Sequence, residues 1–316
     1  MIKVTDISKT YGLNHALADV SFSVEKGEIV GLVGRNGAGK STTMNIISGY
    51  ISSDSGSVEI NGFDIMKDPV RAKENLGYMP EFPPLYPDMS VEKYLRFVCE
   101  LMKVPKAEIA AQIDEVMEEI GLTAVRRRLI GNLSKGYKQR VGIAKALCGS
   151  PENIILDEPT SGLDPKQIVE IRKVIRGLRK EHAVIISSHI LKELADICTR
   201  FVVIDGGEVV ANGTLDELVR MTKGGDVLQI AYKGDPVDPD VFLQIEGIKE
   251  VKHRSVIDGE QRYELREEAD ADAREAVSRA ISEAGGIVLT MKHQERSIED
   301  AFLELTDGSG RKEEKA

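Results

Sequence analysis

Alternating apolar and polar positions open the chain and predict an antiparallel sheet there. Apolar residues recur at every second or third position from Ile2 to Ile7 and from Ala18 to Val24, with turn residues at Tyr11-Gly12 and Lys26-Gly27-Glu28. Continuous apolar runs, which are typical of strands buried on both faces, follow along the chain. They lie at residues 28–33, 154–156, 183–186 and 201–204.

Helical spacing of apolar residues separates these runs. It predicts helices at residues 42–47, 89–104, 108–120, 165–180 and 190–199. Strand and helix alternate as they do in a parallel, doubly wound sheet, so we predict an α/β core: a mixed, mainly parallel sheet with an antiparallel edge layer. The two helices between Pro87 and Gly121 predict a helical insertion, which we place in a helical subdomain at about residues 83–150.

The hydrophobic pattern changes after residues 221–226. A strand-like VLQIAYK leads to a hairpin turn at Asp258-Gly259, a helix over 270–284, a strand IVLTMKH and a closing helix SIEDAFLEL. This order predicts a small α+β sandwich of β-α-β-β-α-β type, which is a ferredoxin-like arrangement. In the closing helix, Phe302, Leu303 and Leu305 are spaced to bury one face against the first domain or a second chain.

These patterns divide the chain into three parts. We expect one domain at residues 1–222 and a second, smaller domain at residues 226–306. The tail at residues 307–316 is rich in glycine and charge, and we expect it to be disordered.

Composition and charge narrow the class of protein. With 316 residues the chain is long enough to bury a sizeable core. Its formal net charge of −10 argues against a nucleic-acid partner held by phosphate neutralisation. The three cysteines lack metal-ligand or redox spacing. No apolar run approaches the roughly 18–20 residues that cross a bilayer, and the N-terminus lacks a signal-peptide core, so we expect a cytosolic chain that needs membrane-spanning partners for any role in transport.

A glycine-rich loop follows the first buried strand. Residues 34–41, GRNGAGKS, have the form G-x-x-x-x-G-K-[ST], which we call the P-loop. In such a loop successive backbone N–H groups curl around phosphates, while Lys40 and Ser41 reach the terminal phosphates and Mg²⁺. A glycine-rich hairpin turn is the alternative, but the strand before the loop and the helix after it favour an ATP site.

Two acidic residues follow the buried run at 154–156. Asp157 is placed to emerge at the carboxyl end of its strand, where ligands bind in open α/β sheets, and to hold Mg²⁺. Glu158 is placed to orient and polarise a water molecule for in-line attack on the γ-phosphorus. A solvated acidic turn before Pro159 is the alternative.

The segment LSKGY at residues 133–137 precedes a helical run. Ser134 is a candidate N-cap, with the free N–H groups and the dipole of the helix directed toward an anion. Here the chain resembles the ATP-binding cassette (ABC) family of transporter ATPases, whose signature LSGGQ it matches at Leu133, Ser134 and Gly136. Lys135 and Tyr137 depart from that signature.

The resemblance extends over about residues 1–220, with the motifs in the order of the family. It implies that Tyr11 stacks on adenine, that residues 161–164 (SGLD) form the D-loop, and that His189 is the switch histidine on the γ-phosphate. The nucleotide-binding residues expected from the motifs and the resemblance are Tyr11, Gly34, Asn36, Gly37, Ala38, Gly39, Lys40, Ser41, Thr42, Glu81, Ser134, Gly136 and Asp164. The expected metal ligands are Ser41, Glu81 and Asp157, and the expected catalytic residues are Glu158, His189 and Lys40.

Glu81 stands where the family usually has the glutamine of the Q-loop. A carboxylate at this position is suited to Mg²⁺ and repels phosphate. Together with the LSKGY signature, it resembles the branch of exporter ATPases that includes gliding-motility, sodium, copper-related and drug-export systems.

The resemblance also implies partners. Two copies are expected to face head to tail, so that Ser134 of one chain completes the ATP site of the other, and a membrane permease is expected to dock on a surface from Glu81 to about residue 100. This places the chain on the cytoplasmic face of the cell membrane. A soluble ABC ATPase acting on the ribosome or DNA is the alternative. A P-loop kinase or GTPase would leave Ser134, Asp164 and His189 unexplained.

Overall fold

The chain folds into two compact units. The computed structural model describes residues 1–188, 190–222, 227–268, 271–294 and 298–306. The units divide between Leu215 and Asp216, ahead of the boundary expected at residue 222. The helix Leu215–Met221 begins at this division. The tail expected at 307–316 lies outside the described residues.

An antiparallel sheet forms the edge layer of the first unit, as the alternating N-terminal pattern predicts. Its strands are β1 (Ile2–Tyr11), β2 (Asn14–Val24), β4 (Ser55–Ile60) and β5 (Phe63–Asp64), in the order β2-β1-β4-β5. Their inward-facing apolar residues share one buried cluster with the larger sheet of this unit.

A six-stranded sheet is the centre of the first unit. Its strands are β3 (Ile29–Gly34), β6 (Leu76–Met79), β7 (Asn153–Leu156), β8 (Ala183–Ser187), β9 (Arg200–Asp205) and β10 (Glu208–Gly213). Their order is β10-β9-β3-β8-β7-β6, and only β10 runs antiparallel to its neighbour. The mixed, mainly parallel α/β fold predicted from the sequence is confirmed.

Helices connect these strands. They are α1 (Lys40–Ile47), α2 (Pro69–Glu74), α3 (Val91–Leu101), α4 (Ile109–Glu119), α5 (Lys135–Leu147), α6 (Pro165–Leu178), α7 (Leu191–Ala195) and α8 (Leu215–Met221). Short 3₁₀ turns at Thr123–Val125 and Ile130–Asn132 precede α5. The helix predicted at 190–199 ends early, because the Thr199 N–H bonds to the Ile29 carbonyl and draws the chain into the sheet.

The parallel strands bring distant motifs to one edge of the sheet. Strand β3 ends at the P-loop, β6 ends just before Glu81, β7 ends just before Asp157, and β8 ends at Ser187. Because parallel strands present their carboxyl ends at the same edge, the residues that follow them meet there.

The second unit has a four-stranded antiparallel sheet. Its elements are β11 (Val227–Lys233), α9 (Pro239–Leu243), β12 (Ile248–Ile257), β13 (Glu260–Glu267), α10 (Arg274–Glu283), β14 (Ile287–Gln294) and α11 (Ile298–Thr306). The strand order β12-β13-β11-β14 is that of a split β-α-β arrangement. Aromatic rings fill its core, with the Phe242 and Tyr263 centroids 5.1 Å apart and the Tyr232 and Tyr263 centroids 5.9 Å apart.

Within this chain Leu303 of α11 is 54% exposed, whereas Ala301 and Thr306 are buried. Burial of Leu303 against a second chain stays a prediction. Residues 301, 302, 305 and 306 share a stripe at the 3.6-residue period, and position 303 points away from that stripe.

Candidate functional site

The P-loop is built around glycines that no other residue can replace without strain. Gly37 and Gly39 have φ of 81° and 115°, in the left-handed region. A Cβ atom at Gly39 would lie 2.6 Å from Leu17 Cδ2, and one at Gly34 would lie 2.4 Å from the Ile204 carbonyl oxygen. Gly39 also caps α1 without a side chain, so the N–H groups of the first turn face the loop.

Lys40 folds over this loop. Its Nζ donates to the Gly34 carbonyl oxygen at 2.6 Å and to the Arg35 carbonyl oxygen at 3.1 Å. Burial lowers the pKa of the Lys40 ammonium, and the charges of Glu158 and Asp157 oppose that shift. The lysine is therefore held at the loop by neutral carbonyl groups and faced by two acidic residues.

The carboxylate of Asp157 lies at the carboxyl end of β7. Its backbone N–H donates to the Met79 carbonyl oxygen at 2.9 Å, and the Ser187 hydroxyl donates to its Oδ1 at 2.6 Å. Burial and the neighbouring Glu158 raise the pKa of Asp157, while the Ser187 hydrogen bond and Lys40 lower it. An acid in these surroundings is suited to a cation placed beside it.

Glu158 has an unusual backbone conformation. Its φ of 47° lies in the left-handed region, which is uncommon for a residue with a side chain. Its N–H donates to Ser187 Oγ at 2.9 Å, and its carbonyl oxygen accepts from the Ser161 N–H at 3.0 Å. This bend places both Asp157 and Glu158 at the same cavity.

A cavity of about 650 Å³ unites most of the predicted site. Its lining residues are Tyr11, Asn14, Ala16, Asn36, Gly37, Gly39, Lys40, Ser41, Thr42, Glu81, Asp157, Glu158, Ser161 and Ser187. Tyr11 and Glu81 reach it from strand ends far apart in sequence. Ala38, also predicted to bind, is buried within the loop.

Comparison with known proteins decides the family. A model of the ABC transporter family matches residues 17–161. The linearmycin resistance ATP-binding protein LnrL of Bacillus subtilis is 33% identical over 310 residues, which cover 97% of this chain and 98% of LnrL. The chain belongs to the ABC transporter ATP-binding family.

Other ABC proteins give the same result. The bacitracin transport ATP-binding protein BcrA of Bacillus licheniformis is 32% identical over 312 residues, or 98% of either chain. A solved ATP-binding subunit of an ABC transporter is 34% identical with a TM-score of 0.64, covering 70% of this chain and 92% of that chain. The chain is therefore an ATPase and a subunit of an ATP-driven transporter, and a soluble ABC ATPase is not favoured. ABC ATP-binding subunits dimerise and work with membrane permeases.

The ABC signature lies apart from the cavity. Ser134 is exposed and caps α5 as predicted, with its Oγ accepting from the Tyr137 N–H at 3.4 Å. Asp164 likewise caps α6, its Oδ1 accepting from the Gln167 N–H at 2.9 Å. Gly136 is buried against the Gln167 side chain. The described residues that line the P-loop cavity do not include Ser134, Gly136 or Asp164.

Lys135, which departs from the ABC signature, reaches the D-loop. A Cβ atom at Gly162 would collide with the Lys135 ammonium, and Gly162 has φ of 66°. The larger signature residue is accommodated because a glycine faces it. The side chain of Lys135, which replaces a glycine of LSGGQ, thus brings the signature segment into contact with the D-loop of the same chain.

Glu81 lies between two openings. It lines the P-loop cavity and also a groove of about 430 Å³ with Phe82, Leu85, Lys135 and Lys138. The Phe82 side chain is 79% exposed. In the same loop, Tyr86 instead packs edge-on against Tyr94 and Phe97 of α3, with centroids 5.9 Å and 5.7 Å away.

His189 lies outside the described residues. Sequence reasoning assigns no role to Ser187, although a polar residue at the end of a buried strand is a signal that singles it out. Within the described chain, no three His, Cys, Asp or Glu side chains are grouped to hold a metal ion. The described helices include none with both the length and the apolar character needed to cross a bilayer.

Proposed function

We propose that the chain is the ATPase subunit of an exporter, and that two copies form composite ATP sites head to tail. The observation that carries this proposal is the position of the signature. Ser134 is exposed at the start of α5, and it is not one of the described residues that line the P-loop cavity. A second copy supplies a Ser134 to that cavity. The free N–H groups and dipole of α5 are suited to a γ-phosphate reaching them from the other chain.

The cavity residues take separate roles in this proposal. Lys40 and the P-loop N–H groups bind the phosphates, Tyr11 stacks on adenine, and Glu158 orients the attacking water. Asp164 and Gly136 belong to the dimer face, and His189 contacts the γ-phosphate.

Mg²⁺ fits the oxygen donors at this cavity. Ser41, Asp157 and Glu81 line it together, and a hydroxyl with two carboxylates is a hard donor set of the kind that Mg²⁺ prefers. These residues would hold the ion together with phosphate oxygens. When bound, Mg²⁺ supplies charge neutralisation at the phosphates.

ATP then acts as the ligand of a two-state equilibrium. A γ-phosphate contacted by both chains stabilises the closed dimer, and hydrolysis removes that differential contact. Closure moves the permease. We place the permease contact on the surface from Glu81 to about residue 100, because the groove beside Glu81 combines exposed Phe82 with the cations of Lys135 and Lys138.

The names of the relatives support export. LnrL is a linearmycin resistance protein and BcrA a bacitracin transport protein by name, and each spans nearly the whole chain. We place this subunit on the cytoplasmic face of the cell membrane, where ATP is supplied. No nucleic-acid partner is proposed, in keeping with the acidic net charge.

We assign the domain at residues 226–306 a regulatory or dimer-bracing role. Its described residues carry their own aromatic core and no glycine-rich phosphate loop. A second enzyme is therefore not proposed for it.

Mixing two inactive variants tests the composite site. Lys40→Ala removes the ammonium group that binds the phosphates. Ser134→Asp keeps a side chain that can cap the helix, but its negative charge repels phosphate. A head-to-tail heterodimer of the two variants has one site with both changes and one intact site. We expect the mixture to hydrolyse ATP well above the sum of the two separate rates.

The same experiment can refute the proposal. If each site is built within one chain, the mixture shows only the sum of the separate rates. Each variant mixed with the parental chain is the control for heterodimer formation.

A further inference from the structure

Ser187 links the two acidic residues of the ATP site. It is the last residue of β8 and is 1% exposed. Its hydroxyl donates to Asp157 Oδ1 at 2.6 Å and accepts from the Glu158 N–H at 2.9 Å. A hydroxyl has one hydrogen to donate and two lone pairs to accept with, so one group can make both bonds.

The register of the sheet explains this contact. Strands β7 and β8 pair in parallel, with Leu156 opposite Ile186. Asp157 follows Leu156, and Ser187 follows Ile186. The parallel pairing therefore places the serine beside the aspartate. The contact depends on strand order, since Ser187 and Glu158 are 29 positions apart along the chain.

The bond to Asp157 orients its carboxylate. An acceptor oxygen held by a buried donor cannot rotate freely, so the other oxygen keeps one direction. Groups that hold a metal ligand in this way usually raise metal affinity without contacting the metal.

The bond to Glu158 holds a strained backbone. A φ of 47° is unfavourable for a residue with a Cβ atom and persists where the surroundings impose it. The N–H of Glu158 points to Ser187 in this conformation. The same bend directs the chain so that the Glu158 side chain lines the cavity.

We propose that Ser187 is the positioning residue for both carboxylates, fixing Asp157 toward the magnesium ion and Glu158 toward the attacking water. This rests on the roles proposed above for Asp157 and Glu158. Ser187 itself touches neither phosphate nor metal in this proposal. It acts by setting the direction of two groups that do.

The test measures binding as well as turnover. The affinity of Ser187→Ala for the non-hydrolysable analogue AMP-PNP is measured by calorimetry with Mg²⁺ and with EDTA. We expect the gain in affinity that Mg²⁺ provides to fall about 10-fold or more, with the EDTA affinity little changed. We expect kcat to fall by about 10- to 100-fold.

Two variants separate positioning from stability. Ser187→Thr keeps the hydroxyl and should recover kcat and the Mg²⁺ gain. Thr199→Val removes a hydroxyl that also donates and accepts, to the backbone of Ile29, away from the cavity. It should lower the unfolding temperature and leave both readouts at the parental level. If the alanine variant does not fold, Ser187→Cys fills the site with a slightly larger thiol that weakens both bonds, and the same comparison is made on it.

Several results would overturn the proposal. One is a Ser187→Ala variant whose AMP-PNP affinity rises with Mg²⁺ as much as that of the parent. Another is an equal loss of affinity with Mg²⁺ and with EDTA. The third is a Ser187→Thr variant that recovers neither kcat nor the gain in affinity. Asp157→Asn separates the role proposed for Asp157 from the role proposed for Ser187. If it keeps the Mg²⁺ gain, the role proposed for Asp157 fails; if it loses the gain while Ser187→Ala keeps it, only the role of Ser187 fails.

Discussion

The ammonium of Lys40 lies 2.6 Å from the carbonyl oxygen of Gly34, so the lysine near the end of the P-loop bonds back to the residue that begins it. The bond joins a charged donor to a neutral acceptor. A phosphate oxygen carries negative charge and is a stronger acceptor for the same ammonium. The lysine is therefore already placed where a phosphate can take over its hydrogen bond.

Lys40→Ala is expected to weaken ATP binding. The variant loses a charge-assisted bond to phosphate, for which we expect a fall in affinity of about 10- to 100-fold. Calorimetry with ATP measures it. Lys26→Ala, in the exposed turn before β3, is the control and should bind as the parent does. Unchanged affinity in Lys40→Ala would contradict the assignment.

Glu158→Gln is expected to bind ATP but hydrolyse it about 10²–10⁴-fold more slowly, the scale of a lost general base. The amide keeps the shape of the side chain and loses its basicity. Because hydrolysis no longer opens the closed state, an ATP-bound dimer should accumulate, which light scattering after gel filtration detects. Glu152→Gln, exposed just before β7, should turn over normally. A near-parental rate in Glu158→Gln rules the role out.

Glu81→Gln is expected to keep much of the basal ATPase activity, since either side chain offers an oxygen to Mg²⁺ or water. Stimulation by the membrane permease should change, because Glu81 lines both the ATP cavity and the adjoining groove. Rates with and without the permease in proteoliposomes measure this. The control is Glu115→Gln, exposed on α4 and outside the surface proposed for the permease. If basal and stimulated rates both match the parent, Glu81 is not a sensor.

Truncation after Lys223 tests the role of the second domain. We expect the shortened chain to lose part of its ATP-driven dimerisation or of its coupling to the permease. A full-length Glu283→Gln variant, changed at an exposed polar position of α10, should behave as the parent does. Parental ATPase, dimerisation and coupling in the truncated chain would show that the domain is an appendage.

Alkaline pH is expected to destabilise the fold through the half-buried Tyr78 and the buried Tyr94. Burial, with smaller contributions from Asp157 and Tyr50, raises the pKa of Tyr78 to about 12, and burial, with Cys148 and Tyr86, raises that of Tyr94 to about 12. The unfolded chain releases these protons near the ordinary pKa of about 10. Above that pH the unfolded state binds fewer protons than the folded state, so the free energy of unfolding falls until about pH 12.

Urea unfolding between about pH 9 and pH 11 measures this loss. The Tyr78→Phe, Tyr94→Phe double variant cannot ionise at these positions and should lose less stability over the same interval. Equal losses in the variant and the parent would contradict the prediction.

The sequence by itself determined the element types, their order and the chemistry of the loops. Local patterns carry that information: a period of two or of 3.6 residues reports which face is buried, and glycines report a loop that must bend. On this basis the sequence predicts the strand and the helix that flank the P-loop, the cap at Ser134 and the acidic end of β7.

Only the tertiary structure decided which of these residues meet. Strand order brings Ser187 to Asp157 and Tyr11 and Glu81 to the P-loop, while Ser134 stays outside that cavity. Such contacts join residues far apart in sequence, so no local period reports them. The unit boundary after Leu215 and the exposure of Leu303 are of the same kind. A helix's spacing shows that it has an apolar stripe, but its packing partners decide which residues that stripe buries.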